Sequence, residues 1–377
     1  MLDVAIVGGG PVGATLAALA ASSGLSIEVL EARSAPSGDR RILALSHASR
    51  ERLEEARAWP AASATAIASI HISQRGGPGR TLLEAGEQGL PALGYTVPYA
   101  ALEADLAKRL PECGVTVRYG AACTGIRLAS DAAAVDLASG EEIRARLLVI
   151  ADGGSSAARI PGVAFTEKDY GQHAVVGALR ADRAHGGRAY ERFTPEGPMA
   201  LLPVQDRHAL VWTATPERAR ELVALDEARF LAELQEAFGD RAGRFVSIEA
   251  RSAFPLKLRT VNSPVALRTL IVGNAAQALH PVAGQGLNLG LRDAAAVADL
   301  LRALPEAAGN RAMLEAYREA RRRDASRGVA FTDLLVSIFS DGRRIPTWGR
   351  GLALAAFDAL PAARRLLAER MIYGAPS

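Results

Sequence analysis

Three short apolar runs stand out along the chain: Val4–Val7, Leu147–Ile150 and Leu270–Val272. A fourth, "IEVLEAR", spans Ile27–Arg33. Each is too short for a core helix and rich in aliphatic residues, the signature of strands buried on both faces. The first and last pass into small residues and then into helical periodicity. After Val272 come about a dozen Gly, Asn, Ala, Gln, His and Pro positions. Then Leu287, Leu291, Ala294, Ala298 and Leu301 recur at spacings of four and three, one apolar helix face. The intervening chain is different in character. "SIHISQRGGPGRTLLEA" (Ser69–Ala85) predicts a hairpin with a Gly-rich turn. "AYERF" and "MALLPVQDRHALVWTA" predict further strands, with Gln205–Arg207 as a turn, and Leu222–Phe238 reads as a helix. The stretch 311–377 reads as two or three helices. The pattern is α/β, with strand–loop–helix units at both ends and a separate block of strands between them.

Composition narrows the class. At 377 residues, 49% hydrophobic and 23% charged, the chain has the make-up of a soluble globular protein with room for two or three domains or one large α/β body. Its net charge is only +3, and nearly all the positive charge is Arg, which points to no nucleic-acid partner. Cys113 and Cys123 form no CxxC, and the six His residues have no metal-ligand spacing, so no metal is expected. No apolar run approaches the roughly 18–20 residues that span a bilayer. The first strand opens at Asp3, so the expected location is cytoplasmic.

The chemistry begins at "GGGPVGATLAALAASSG" (Gly8–Gly24). Gly8-x-Gly10-x-x-Gly13 has the dinucleotide-loop spacing, placed where strand meets helix. Gly8 allows a tight turn, Gly10 keeps a Cβ away from a pyrophosphate, and Gly13 lets helix and strand approach. Pro11 suits the first helical turn, where its missing N–H costs nothing. Glu31 falls 18 residues after Gly13, where an acid can accept ribose hydroxyls. The bland alternative is a tight strand–helix turn without a ligand.

Two further stretches bear on which dinucleotide is bound. "LLVIADGGSSAAR" (Leu147–Arg159) ends a strand on Asp152 and Gly153, which is either a ligand loop or a polar strand-end turn. At Gly284, Gln285 and Gly286 a helix starts with little bulk, so backbone N–H groups can lie against a flat ring and stabilise negative charge on it. Reduced flavin develops such charge. Gly290 inside this helix costs roughly 1 kcal/mol relative to Ala unless close packing compensates.

Together these stretches resemble the aromatic-ring flavoprotein monooxygenases typified by para-hydroxybenzoate hydroxylase. "GNAAQALHPVAGQGLNLGLRDA" is most similar to the ubiquinone-biosynthesis hydroxylases, above all the 2-polyprenyl-6-methoxyphenol hydroxylase type. "RRILALS", "LGYTVPYAALEADL", "LLPVQDRHALVW" and "FPL" extend the likeness over nearly the whole chain. The resemblance implies a glutathione-reductase-type, FAD/NAD(P)-binding Rossmann-like domain with an inserted β-sheet substrate domain and C-terminal helices. It divides the chain into a discontinuous FAD-binding domain (1–67, 95–162 and 265–304), a substrate domain (68–94 and 163–264) and a helical region (305–377). It places Gly8, Gly10, Pro11, Val12 and Gly13 on the FAD pyrophosphate and Glu31 on the adenosine ribose. Arg41 is either a flavin contact or a surface ion pair. Asp152 and Gly153 serve FAD and pyridine nucleotide. Gly273, Asn274, Pro281, Gly284, Gln285, Gly286, Leu287 and Asn288 line the flavin. Asn274 stands where most relatives carry Asp, and Tyr99 where many carry Asn.

The implied activity is hydroxylation of the ring of a polyprenylated phenol in ubiquinone biosynthesis, with NAD(P)H as transient reductant and O2 adding to give a C4a-hydroperoxyflavin. His280 and Pro281 are the catalytic candidates. His280 either relays a proton or holds its loop by a hydrogen bond, whereas Arg292 and Asp293 read as anchors of their helix. Phe193, Met199, Leu201, Trp212, Phe254 and Leu256 either line a tunnel for a prenyl tail or fill the core. From Arg311 onward there are 12 Arg against 7 acidic residues. That tail rests on an inner-membrane surface, docks a partner of a biosynthetic complex, or packs on the FAD domain; homo-oligomerisation is left open. The alternatives are another flavoenzyme on the same scaffold, such as a prenyl reductase, and a non-catalytic FAD-binding subunit.

Overall fold

The computed structural model describes residues 1–76, 80–279 and 285–322. Leu2–Val7 lies at the centre of the first sheet, paired in parallel with Ile27–Glu31 on one side and Glu142–Ile150 on the other. Thr116–Tyr119 and Thr269–Ile271 extend the sheet outward, again in parallel. Val4 and Ile6 are fully buried on one face and Ala5 and Val7 buried on the other. That explains a strand that is apolar throughout rather than alternating. One face packs on the helices Pro11–Ala20, Tyr99–Glu112 and Gln285–Ala303. On the other face Ile126, Val135 and Ile143 join Val7, Leu148 and Ile150 in a second cluster.

Among the described residues the first and second sheets have eight strands each. Two of them, Phe165–Ala181 and Phe245–Val261, are 17 residues long and pair antiparallel through three register shifts. The sheet continues through Arg207–Ala214, Gly197–Val204 and Arg188–Thr194 to the hairpin Ser69–Gln74/Arg80–Glu84. The hairpin forms as the alternation predicted; its turn residues Gly77, Pro78 and Gly79 lie outside the described residues. Gln277–Ala278 pairs with Phe245–Val261, so a piece of the 265–304 segment belongs to this sheet. A three-stranded sheet (Ile42–Ser46, Gly94–Pro98, Thr65–Ile67) bridges the two: the Thr96 hydroxyl donates to the Pro203 carbonyl, and Gln205 N–H to Thr65 Oγ1 at 2.8 Å.

The expected helix Leu222–Phe238 is two helices, Pro216–Ala224 and Glu227–Phe238. Asp226 separates them, because its carboxylate accepts the Arg229 N–H as an N-cap at 2.8 Å. Leu222, Phe230, Leu234 and Phe238 of this pair bury against Val175, Leu179, Leu201 and Trp212 of the sheet. The chain is helical over 311–322; the rest of the predicted tail helices lie outside the described residues.

Candidate functional site

The three glycines of the first loop are glycines for different reasons. Gly8 has φ +108°, and a Cβ there would sit 2.6 Å from the Asp152 nitrogen. At Gly13 a Cβ would lie 2.1 Å from the Gly8 carbonyl oxygen. Both are required by the protein's own packing. Gly10 is not. Its backbone is extended (φ −67°, ψ 178°), as an N-cap residue before Pro11, and the nearest atom to a Cβ would be Tyr99 Oη at 3.6 Å. The fold tolerates a side chain at Gly10, so its bareness answers to something other than protein packing.

Glu31 is buried at the end of its strand. Its Oε2 accepts the Gly9 N–H at 2.8 Å, and its Oε1 accepts the Arg33 N–H and Nε–H at 2.9 Å each. Burial pushes the carboxyl up, but hydrogen bonds from Arg33 and Gly9 outweigh it and hold the pKa below the usual range. Arg33 also reaches Glu103 at 2.7 Å, and Glu103 accepts from Ser37. An acid in this position is legible in the sequence; the Arg33 clamp that fixes its charge and orientation is not.

Asp152 forms a closed polar turn. It accepts Gly154 N–H at 3.0 Å, Ser156 N–H at 2.9 Å and the Ser155 hydroxyl at 2.5 Å. Gly153 offers its carbonyl to Arg259 at 2.6 Å, and a Cβ on Gly154 would strike the same guanidinium. The turn thus ties the first sheet to the second.

The start of the helix Gln285–Ala303 is pinned from below. Gly273, at φ +60°, donates its N–H to Asp293 Oδ2 at 2.9 Å. A Cβ on Gly290 would lie 2.7 Å from a Val12 methyl and 3.1 Å from the Gly273 Cα. This is the close packing that offsets a mid-helix glycine. Asp293 also accepts from Gln277 at 3.2 Å and pairs with buried Arg321 at 2.7 Å, the anchoring role its position suggested. Asn288 is committed to the protein: Oδ1 accepts from Ser46 N–H and the Ser49 hydroxyl, and Nδ2 donates to the Ala44 carbonyl. Gly286 repeats the property of Gly10, since the nearest atom to a Cβ would be Asn274 Oδ1 at 3.8 Å. His280, Pro281 and Gly284 lie outside the described residues.

The start of this helix borders a cavity of about 1220 Å³. Arg41, Asn274, Gly286, Leu287 and Asn288 line one side of it. Arg41 makes the ion pair that was one of its expected settings: it pairs with Asp39 at 2.7 Å, lies over the Tyr99 ring at 5.1 Å and borders the cavity. The opposite wall is one face of the second sheet, including Val176, Ala200, Leu202 and Val211. Of the six residues weighed for a tunnel, only Phe254 and Leu256 border the cavity. Met199, Leu201 and Trp212 point the other way, under the helices, and Phe193 joins a cluster with Ile72 and Leu83. The cavity-facing residues are the immediate neighbours of those core residues, as the two-residue period of a strand requires.

Two helix starts each carry a glycine that the protein's own packing does not require, Gly10 at one and cavity-lining Gly286 at the other; the pair fits a ligand with a phosphate part and a flat part, which is the shape of FAD. The family model described as FAD binding domain matches residues 1–332. Among curated relatives, the ubiquinone hydroxylase UbiL of Rhodospirillum rubrum is 35% identical, over 97% of this chain and 88% of its own length. The 3-demethoxyubiquinol 3-hydroxylase of Escherichia coli is 34% identical, over 94% of each chain. Among solved structures, the OxyS anhydrotetracycline hydroxylase of Streptomyces rimosus has the same fold, with a TM-score of 0.74 at 23% identity over 98% of this chain and 75% of its own. So has the p-nitrophenol 4-monooxygenase PnpA of Pseudomonas putida, at 0.77 and 16%, over 99% and 97%.

Proposed function

This chain belongs to the FAD binding domain family, and we propose that it is an FAD-dependent monooxygenase hydroxylating the aromatic ring of a polyprenylated phenol in ubiquinone biosynthesis, with NAD(P)H and O2 as co-substrates. Its similarity to two hydroxylases of ubiquinone metabolism supports that reading. Gly8, Gly10, Pro11, Val12 and Gly13 would hold the pyrophosphate, Glu31 with Arg33 the adenosine ribose, and Gly273, Asn274, Gln285 and Gly286 the ring. Bound FAD supplies redox chemistry with NAD(P)H and O2.

The protein's part is positional and electrostatic. The helix starting at Gln285 directs its positive end toward the cavity, where it favours negative charge on a ring. Asp293 holds the Gly273 turn against that helix, so the ring-side wall is rigid. The apolar sheet face keeps water from the reacting atoms and gives a prenyl tail a surface to lie on. The observation that carries the reading is a cavity bounded by the bare helix start at Gly286 on one side and an apolar sheet face on the other.

No described helix is long and apolar enough to cross a membrane. Access to a lipid-dissolved phenol would come through peripheral contact, with the basic stretch after Arg311 resting on acidic headgroups. The test uses FAD-loaded protein, NADPH or NADH, a prenylphenol and ¹⁸O₂, read by mass spectrometry. Incorporation of one labelled oxygen into the ring is the expected result. Saturation of the prenyl chain without labelled oxygen would establish a reductase instead. FAD binding with neither product under reducing conditions would point to a non-catalytic subunit.

A further inference from the structure

Strand Arg188–Thr194 carries one residue that nothing above explains. Register across the second sheet places Ile72, Glu191, Ala200, Val211, Val176 and Ser252 in one row, each opposite the next. From Glu191 to Ser252 this row borders the cavity. The flanking positions on the same face include Ala178, Leu202 and Ala209 on one side and Pro198 and Thr213 on the other. Glu191 is therefore a carboxyl group set into a wall of small and apolar side chains. Its strand neighbours Tyr190 and Arg192 face away: Tyr190 packs on Phe238 and Arg192 reaches the Ala237 carbonyl.

Among the described residues no group donates a hydrogen bond to the Glu191 carboxyl or pairs with it. Four cations that border the cavity are engaged elsewhere: Arg41 with Asp39, Arg207 with Glu249, Lys257 with Asp169 and Arg259 with the Gly153 carbonyl; Arg40 and Glu167 also border it, and neither bonds to Glu191. The carboxyl is half-buried and opens to the cavity, and desolvation raises its pKa to about 8. An unpartnered carboxyl at such a place costs stability that alanine or leucine would not. Its chemistry is that of a hydrogen-bond partner for a ligand group, and a pocket that is otherwise apolar uses few such groups to set orientation.

We propose that Glu191 is a substrate-recognition residue, accepting a hydrogen bond from the ring hydroxyl of the aromatic substrate while the ring lies over Ala200 and Val211. This rests on the monooxygenase reading and adds the residue that orients the ring. A group that must give its proton to Glu191 distinguishes a phenol from its methyl ether, which has the same ring and tail but no donor.

The experiment measures binding of 2-geranylphenol and 2-geranylanisole to the FAD-loaded protein by flavin difference spectra, in wild type, Glu191→Leu and Glu191→Gln. Wild type is expected to prefer the phenol by about 10- to 100-fold, the range of one hydrogen bond to a half-buried, ionisable group. Glu191→Leu should bind the ether within about threefold of wild type and lose the preference, and its melting temperature should stay level or rise. Glu191→Gln, which keeps a carbonyl acceptor, should retain part of the preference. The inference is overturned if Glu191→Leu keeps wild-type discrimination, weakens both probes equally, or unfolds more readily. Wild type that oxygenates the phenol yet binds both probes alike overturns it too and leaves the monooxygenase reading standing. Wild type that neither binds nor oxygenates the phenol brings down that reading, and the inference with it.

Discussion

Gly10 and Gly13 lie three residues apart in the same loop, and the structure predicts opposite consequences for the same substitution. At Gly13 an alanine methyl would sit 2.1 Å from the Gly8 carbonyl oxygen and 3.2 Å from the Ile6 and Ala151 side chains. A carbonyl on a buried strand end cannot swing aside, so helix and sheet must separate. Overpacking of this kind costs about 1–3 kcal/mol or more. At Gly10 the same methyl meets nothing nearer than 3.6 Å, and the backbone is in a region alanine adopts freely. Replacing glycine by alanine at an N-cap loses part of about 1 kcal/mol. Restricting the unfolded chain returns about 0.4–1 kcal/mol. The apoprotein of Gly10→Ala should therefore match wild type within about 1 kcal/mol.

FAD affinity should divide the two variants differently. A methyl at Gly10 stands where the pyrophosphate would approach the backbone, and a loss of about 100-fold is expected. By linkage, the extra stability that wild type gains from saturating FAD would then shrink by about 2.7 kcal/mol. The assay is urea unfolding with and without FAD, alongside FAD titration by fluorescence quenching. Gly13→Ala should weaken the apoprotein and the FAD complex alike. If Gly10→Ala destabilises the apoprotein as much as Gly13→Ala does, or binds FAD with wild-type affinity, the argument that a ligand accounts for Gly10 is wrong.

Three further outcomes follow from buried contacts. Asp293→Ala leaves Arg321 charged and buried and the Gly273 N–H without its acceptor. It should cost about 3–5 kcal/mol in urea unfolding, partly restored by adding Arg321→Met. Gly290→Ala brings a Cβ to 2.7 Å from a Val12 methyl, so it should destabilise by about 1–3 kcal/mol. A Val12→Ala/Gly290→Ala double variant should then lose at least about 0.5 kcal/mol less than the sum of the single changes. His208 is buried with neither ring nitrogen hydrogen-bonded among the described residues, and burial, assisted by His185, lowers its pKa to about 4. Its folded pKa lies below the unfolded value near 6.5, so stability is present above pH ~6.5 and lost as pH falls toward 4. The loss reaches about 3 kcal/mol at most. Melting curves of His208→Leu should be flatter over that window, and an unchanged slope would refute the assignment.

The first sheet was legible because its strands are buried on both faces. Val4–Val7, Leu147–Ile150 and Leu270–Val272 are apolar at every position, so no choice of face was needed to recognise them. The hairpin Ser69–Gln74/Arg80–Glu84 was legible for a different reason, its alternation on either side of a Gly-rich turn. Leu222–Phe238 was misread as one helix because its apolar positions continue through Asp226. The side-chain cap that stops the first helix and starts the second is a single hydrogen bond, and apolar spacing carries no trace of it. Gln277–Ala278 joined the other sheet through pairing with Arg259 and Thr260, a partner choice set by tertiary approach.

The site divides along the same line. Gly8, Gly13 and Gly290 were readable because a missing Cβ leaves its mark in sequence, while what each one touches came only with the fold. Asn288 was read as a flavin contact from its place in the motif. What the motif did not reveal is that its amide locks the helix to Ser46, Ser49 and Ala44, more than 230 positions away in the chain. The substrate wall was hidden by a subtler ambiguity. Period two says that Glu191 and Tyr190 face opposite ways, but it does not say which face is core. That was decided by the helices Pro216–Ala224 and Glu227–Phe238, whose apolar sides cover Tyr190, Leu201 and Trp212 and leave Glu191, Ala200 and Val211 to the cavity. A large aromatic therefore marked the wrong face: bulk gathered where the sheet meets helices, and small residues with one carboxyl gathered where it meets a ligand. In a strand with one face covered by helices, the chemistry is to be sought one residue away from the most hydrophobic positions.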